Sequence, residues 1–194
     1  MKKGLIIIGI LVIVGLLIGS SYNSLVDLDE NVNAKWSNVE SSYQRRADLI
    51  PNIVNTAQAY AKFEKETFVE VTNARSKATS IQIDPSNITP EQLQQFQQAQ
   101  QGLSSALSRL LATFERYPDL KANENFKELI NELERTENRI DVDRKRFIES
   151  AKELNAAVRR FPKNITASLF GFEKRAYFES DEGASKAPVV PNSI

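Results

Sequence analysis

LVDLDENVNAKWSNVESSYQRRADLIPNIVNTAQAYAKFEKETFVEVTNARSKA, residues 25–78, is the stretch on which the fold turns. Its apolar residues recur three and four apart. Leu25, Leu28, Val32, Trp36, Val39, Tyr43, Ile50, Ile53, Val54, Ala57, Ala61, Phe68, Val71 and Ala78 fall on or beside one stripe, with the charges elsewhere. A turn of 3.6 residues puts such positions on one face, so the spacing predicts a long helix with one side buried. Pro51 interrupts it. Proline lacks the N–H, and its ring clashes with the preceding turn, so a kink or break is expected there.

Downstream, the pattern lapses between Thr79 and Thr89 into a loop. Thr89, Pro90 and Gln92 then have the spacing of a capping box with proline at the first helical position. The helix they open carries Leu93, Phe96, Leu103, Leu107, Leu110, Leu111 and Phe114, and stops before Pro118. Asn123 can cap a third helix, whose stripe runs Phe126, Leu129, Leu133, Ile140, Phe147, Ala151, Leu154, Val158 and Phe161, with Phe161-Pro162 as its end. A short apolar piece, NITASLFGF, is expected to fold back on the end of the bundle. Strand signals are absent. The pattern predicts an all-α protein, an antiparallel up-and-down bundle of three long helices, or four if Pro51 splits the first.

Upstream lies GLIIIGILVIVGLLIG, from Gly4 to Gly19. The 19 residues from Gly4 to Tyr22 carry no ionisable side chain except the Tyr22 phenol. As a helix they reach about 28 Å, close to the thickness of a bilayer's hydrocarbon core. Lys2 and Lys3 precede the run, and the first base after it, Lys35, stands behind Asp27, Asp29 and Glu30. Basic residues favour the cytoplasmic side, so the N-terminus is expected there, with the body exported. A cleaved signal peptide would share the basic start and apolar middle. No A-x-A-like cleavage site follows, and there is no cysteine to accept a lipid, so a retained anchor is the better reading. Gly15 and Gly19 form a GxxxG pair that could seat a second transmembrane helix and so allow self-association.

The chain has no Cys and no His, and 25 basic residues balance 25 acidic ones. Disulfides, thiolate catalysis, Cys or His metal sites and His-based triads are therefore excluded. No Gly-rich phosphate loop is present, and zero net charge gives no global field toward nucleic acid. The composition points to a non-enzymatic protein without a cofactor. A carboxylate-dependent hydrolase of envelope polymers is the residual alternative, and spacing singles out no pair of acids for it.

Arg45, Arg46, Asp48, Pro51 and Asn52 make up the densest polar block on the first helix. Arg45 and Arg46 stand about 100° apart on a helix, so they cannot both face the core. Two readings are open. In one, the block with Glu137, Asn138 and Arg144 is a surface for an anionic ligand or a protein partner, since a guanidinium fork matches carboxylates and phosphates. In the other it is an internal network, with Arg46 reaching Glu134 or Glu137 on another helix and Asp48 pairing with Arg45.

YNSLVDLDENVNAKWSNVESSYQRRADLIPNIVNTAQAYAKFEKETFVEVTNARSKA closely resembles the first half of LemA family proteins. YPDLKANENFKELINELERTENRIDVDRKRF and the later ASLFGF resemble the second half. The resemblance implies a bacterial single-pass membrane protein with a four-helix body and supplies no catalytic residues. Family members are linked to envelope stress and membrane quality control, and one branch to magnetosome membranes. The expected organisation is a basic N-terminus (1–3), a transmembrane helix (4–22), a helical-bundle domain (23–178) and a disordered tail (179–194). The expected role is a scaffold or adaptor in the cell envelope, contacting other envelope proteins from the inner membrane. A self-assembling, membrane-organising protein is the alternative.

Overall fold

The computed structural model describes residues 2–61 and 64–178. The tail expected to be disordered, 179–194, lies outside them. Six helices follow in order: α1 (Lys2–Gln58), α2 (Lys65–Thr79), α3 (Pro90–Phe114), α4 (Pro118–Ala122), α5 (Glu124–Ala157) and α6 (Lys163–Phe170). Among the described residues there is no strand.

The first helix runs unbroken for 57 residues, about 85 Å, from the apolar run into the body. Its residues from Leu5 to Leu17 are exposed, and it is long and apolar enough to cross a membrane. From Leu25 onward the opposite situation holds. Leu25, Val32, Trp36, Val39, Ile50 and Ile53 are fully or almost fully buried against the other helices.

The body is an up-and-down bundle. Two pairs fix the direction of α2 and α3: Arg75 meets Ala47, and Arg109 meets Glu70. For α5, Asn123 contacts Tyr60 at one end while Lys163, just beyond the helix, contacts Ser24 at the other. The expected capping signals form as read. Thr89 Oγ1 accepts from Gln92 N–H at 3.2 Å while the Gln92 side chain accepts from Thr89 N–H at 3.1 Å. Asn123 Oδ1 accepts from Phe126 N–H at 2.9 Å.

Two expectations need correction. The helix does not break at Pro51; the interruption comes later, beyond Gln58, and it separates α1 from α2. Pro51 has no N–H to offer the carbonyl of Ala47, four residues back. The Nε–H of Arg75, on α2, donates to that carbonyl at 2.7 Å. A side chain from the neighbouring helix thus fills the missing rung and lets the helix pass through proline. The second correction concerns Phe161, placed on the core stripe of the third helix. That helix stops at Ala157, and Phe161 is 80% exposed. Its position beyond the last turn removes it from the helical face that the pattern assumed.

The core is divided along the bundle axis. A distal cluster gathers Ile50, Ile53, Phe68, Leu103, Phe114 and Leu133. A middle cluster gathers Trp36, Tyr43, Phe96, Ile140, Phe147 and Phe178, with Trp36 making edge-on contacts to Phe96 and Phe147. A small basal cluster of Leu25, Ala157 and Ala167 closes the end from which the apolar run emerges.

Candidate functional site

Between the distal and middle clusters lies a layer of polar side chains. It follows from heptad spacing. Along α1 the core positions run Val39, Tyr43, Arg46, Ile50, Ile53; along α3, Phe96, Gln100, Leu103, Leu107; along α5, Leu133, Thr136, Ile140, Asp143, Phe147. Arg46 and Gln100 occupy facing core positions at the same height. Arg46 is only 1% exposed.

One guanidinium nitrogen of Arg46 donates to Glu137 Oε1 at 2.8 Å and Ser104 Oγ at 2.9 Å; the other donates to the Gln100 side-chain carbonyl. The Gln100 amide in turn donates to the backbone carbonyl of Ala78 at 3.3 Å. Four helices are therefore tied through one cation. Arg46 Nε, by contrast, is buried without a hydrogen-bond partner. Its charge is balanced by Glu137, whose side chain remains 43% exposed and keeps part of its hydration. Tyr43, one turn below, lies 5.0 Å from the same guanidinium, and burial raises its phenol above the ordinary value.

A second polar contact lies one turn nearer the base. Ser42 Oγ donates to the buried Asp143 at 2.6 Å, and Arg139 and Arg146 stand at 3.7 Å from the same carboxylate.

The rest of the block points outward. Arg45, Asp48 and Asn52 line an open groove of about 790 Å3 on the solvent face of α1, bounded by Ile81 and Gln82 on one side and Glu132 of α5 on the other. Arg45 is largely exposed and reaches Glu132 only at 3.9 Å. Asp48 does not pair with Arg45. It accepts from Gln44 Nε2 at 2.8 Å and lies 3.9 Å from Arg75. Glu40, at the same groove, has its carboxyl pKa raised by burial.

The structure thus separates residues that the sequence placed together. Arg46 and Glu137 meet inside the bundle, whereas Arg45, Asp48 and Asn52 share the groove. Asn138 is exposed on α5. Arg144 lies over the Phe178 ring at 4.4 Å and so belongs to the middle cluster. Sequence reasoning missed Gln100, Ser104, Ser42, Asp143 and Arg75. Polar residues at heptad core positions were the available signal for Gln100, Asp143 and Arg46. No local signal points to Arg75. Among the described residues no group of three acids converges as a metal site would require.

Comparison with known proteins places the chain in a family. Residues 35–191 match the model of the LemA family. The chain is 27% identical over 186 residues to magnetosome protein MamQ 2 of Paramagnetospirillum magneticum, covering 87% of this chain and 68% of that one. It is 28% identical over 190 residues to magnetosome protein MamQ of Magnetospirillum gryphiswaldense, covering 89% and 70%. It is 26% identical over 165 residues to protein LemA of Metamycoplasma hominis, covering 85% and 71%. With a family match over most of its length, the chain belongs to the LemA family.

Proposed function

We propose that the chain is a single-pass protein of the bacterial inner membrane whose bundle acts as a non-enzymatic scaffold or adaptor for other envelope proteins. Residues 4–22 serve as the anchor and 23–178 as the working domain. Lys2 and Lys3 favour a cytoplasmic N-terminus and an exported body. The observation that carries the reading is the continuity of α1, which joins the apolar run to the bundle without a linker. The groove at Arg45, Asp48 and Asn52 is then held at a fixed height, about 35 Å of helix beyond Tyr22. That is too far from the bilayer for headgroups of the same membrane. Its wet, charged walls suit a protein partner with acidic and amide groups.

The test is photo-crosslinking in intact cells. The structure directs the photoreactive residue to Arg45 or Asn52, because Tyr43 and Arg46 are buried. A discrete adduct with a different envelope protein is the expected result. Absence of any intermolecular adduct from both positions would overturn the groove as a docking surface.

A second reading has its own support. Gly15 and Gly19 stand one turn apart on the helix of the apolar run, the spacing at which a second helix can approach closely. The relatives named as magnetosome proteins fit a membrane-organising role. Adducts formed only between copies of this chain would favour self-assembly over the adaptor.

A further inference from the structure

The base of the bundle carries an apolar surface that the scaffold reading does not use. Phe161, Ile165, Leu169 and Phe170 are 80, 56, 67 and 51% exposed. Ile165 and Leu169 are one turn apart on α6, and the opposite side of that helix, Thr166 and Ala167, is buried. Such a face on an otherwise well-covered body calls for an occupant.

Its place in the fold identifies that occupant. The α6 helix is fastened to the point where α1 leaves its apolar run. The Tyr22 ring packs edge-on against Phe170, centroid to centroid 4.8 Å, and against Phe172 at 5.7 Å. Lys163 Nζ donates to Ser24 Oγ at 2.6 Å. The chain is turned back to Tyr22 by Gly171, whose φ of 76° lies in the left-handed region, with Phe172 N–H closing on the Ala167 carbonyl at 3.0 Å. Tyr22 is the last residue of the segment read as the anchor, the level at which aromatic rings collect at a bilayer surface. The charge agrees. From Leu154 to Phe172 the chain carries Arg159, Arg160 and Lys163 and no acid.

We infer that α6, with Phe161 before it, is an interfacial helix that lies in the headgroup region of the same bilayer that holds α1, its apolar face sunk toward the acyl chains and its bases on lipid phosphates. The inference rests on the reading of residues 4–22 as a membrane anchor. The bundle is thereby held to the membrane at two places, which fixes its tilt as well as its height. A short helix of this kind sits about 5–10 Å into the boundary between headgroups and chains.

The chain has no cysteine, so single ones can be introduced and labelled. Ile10→Cys, Ile165→Cys, Leu169→Cys and, at the far end of the bundle, Asp119→Cys are each made in the full chain. They are labelled with an environment-sensitive fluorophore and reconstituted into vesicles of phosphatidylcholine and phosphatidylglycerol. Lipids with a nitroxide high on the acyl chain, or near its end, report depth by quenching. The expected result is blue-shifted emission at positions 165 and 169, with stronger quenching by the shallow nitroxide. Position 10 should be quenched by the deep one, and position 119 by neither. Deep quenching at position 10 with water-like, unquenched emission at 165 and 169 would overturn the inference and leave the anchor standing. An unquenched position 10 would overturn the anchor and the inference with it.

Discussion

Arg75 is expected to stabilise this fold through a backbone carbonyl rather than through a charge. Its Nε–H reaches the Ala47 carbonyl at 2.7 Å, the group that Pro51 leaves without a helical partner, and Ala47 is only 2% exposed. A buried acceptor deprived of its donor costs about 1–3 kcal/mol, so Arg75→Ala should lose that much. Pro51→Ala supplies a new N–H to the same carbonyl and removes the ring clash, so it should raise stability by itself. In that background Arg75→Ala should cost less, leaving a coupling energy of about 1–2 kcal/mol between the two positions. The nearby Asp48 provides the control. It lies 3.9 Å from Arg75 and is 61% exposed in its side chain, so Asp48→Ala should cost less than about 0.5 kcal/mol. Urea unfolding of the full chain in detergent reads all of these through Trp36, the single tryptophan and a fully buried one. An equal cost for Arg75→Ala with and without Pro51 would refute the carbonyl argument.

Three further outcomes follow from the same geometry. Glu137→Gln should lose about 3–5 kcal/mol in the same assay because it leaves the buried Arg46 cation without its counter-charge. Arg46→Ala should cost about 2–5 kcal/mol, through the emptied core position and the Gln100 and Ser104 oxygens it deprives of a donor, while the half-exposed Glu137 returns to water. Burial raises the Glu40 carboxyl from its ordinary 4.5, so folding penalises its charged form above the raised value and the penalty fades as the pH falls through it. Glu40→Gln should therefore stabilise the chain at neutral pH, with the advantage gone below about pH 4, as thermal unfolding across pH would show. Replacing Gly15 and Gly19 by Ile should leave the body's unfolding unchanged, because nothing stands within 4 Å of a Cβ added at either position. Cross-linking in vesicles then reads oligomer size, and an unchanged size would remove the glycine pair from consideration.

What the sequence made legible was whatever is written in local spacing. Every residue placed on the first stripe is buried except Leu28, which is half-buried, because each lies on the inner face of α1 or α2 or, for Ala61, in the turn between them. The caps at Thr89 and Asn123 were equally readable, since a cap is satisfied within three residues of itself. The break allowed for at Pro51 does not occur, for the complementary reason. Its cost is set by whether the Ala47 carbonyl finds another donor, and that donor comes from Arg75, 28 residues on and across a turn. Phe161 failed in the same way: the stripe was extended beyond a helix that had already ended.

The polar block shows what pattern reading does with a residue that satisfies two descriptions. Arg46 is charged, so composition assigns it to the surface; it also falls midway between Tyr43 and Ile50, where the heptad assigns it to the core. The structure resolves this by matching it with Gln100 at the corresponding gap on α3 and with Glu137 at the edge of α5. An arginine buried there is tolerated only where those partners stand at its height. Sliding α3 by one heptad would put Leu93 or Leu107 against the guanidinium in place of Gln100 and leave buried N–H donors of Arg46 unpaired, at about 1–3 kcal/mol each. The layer therefore selects the register in which the distal and middle clusters both close. It also leaves Arg45, its neighbour in sequence, facing the groove, so the residue that fixes the packing determines which side chain the bundle presents there.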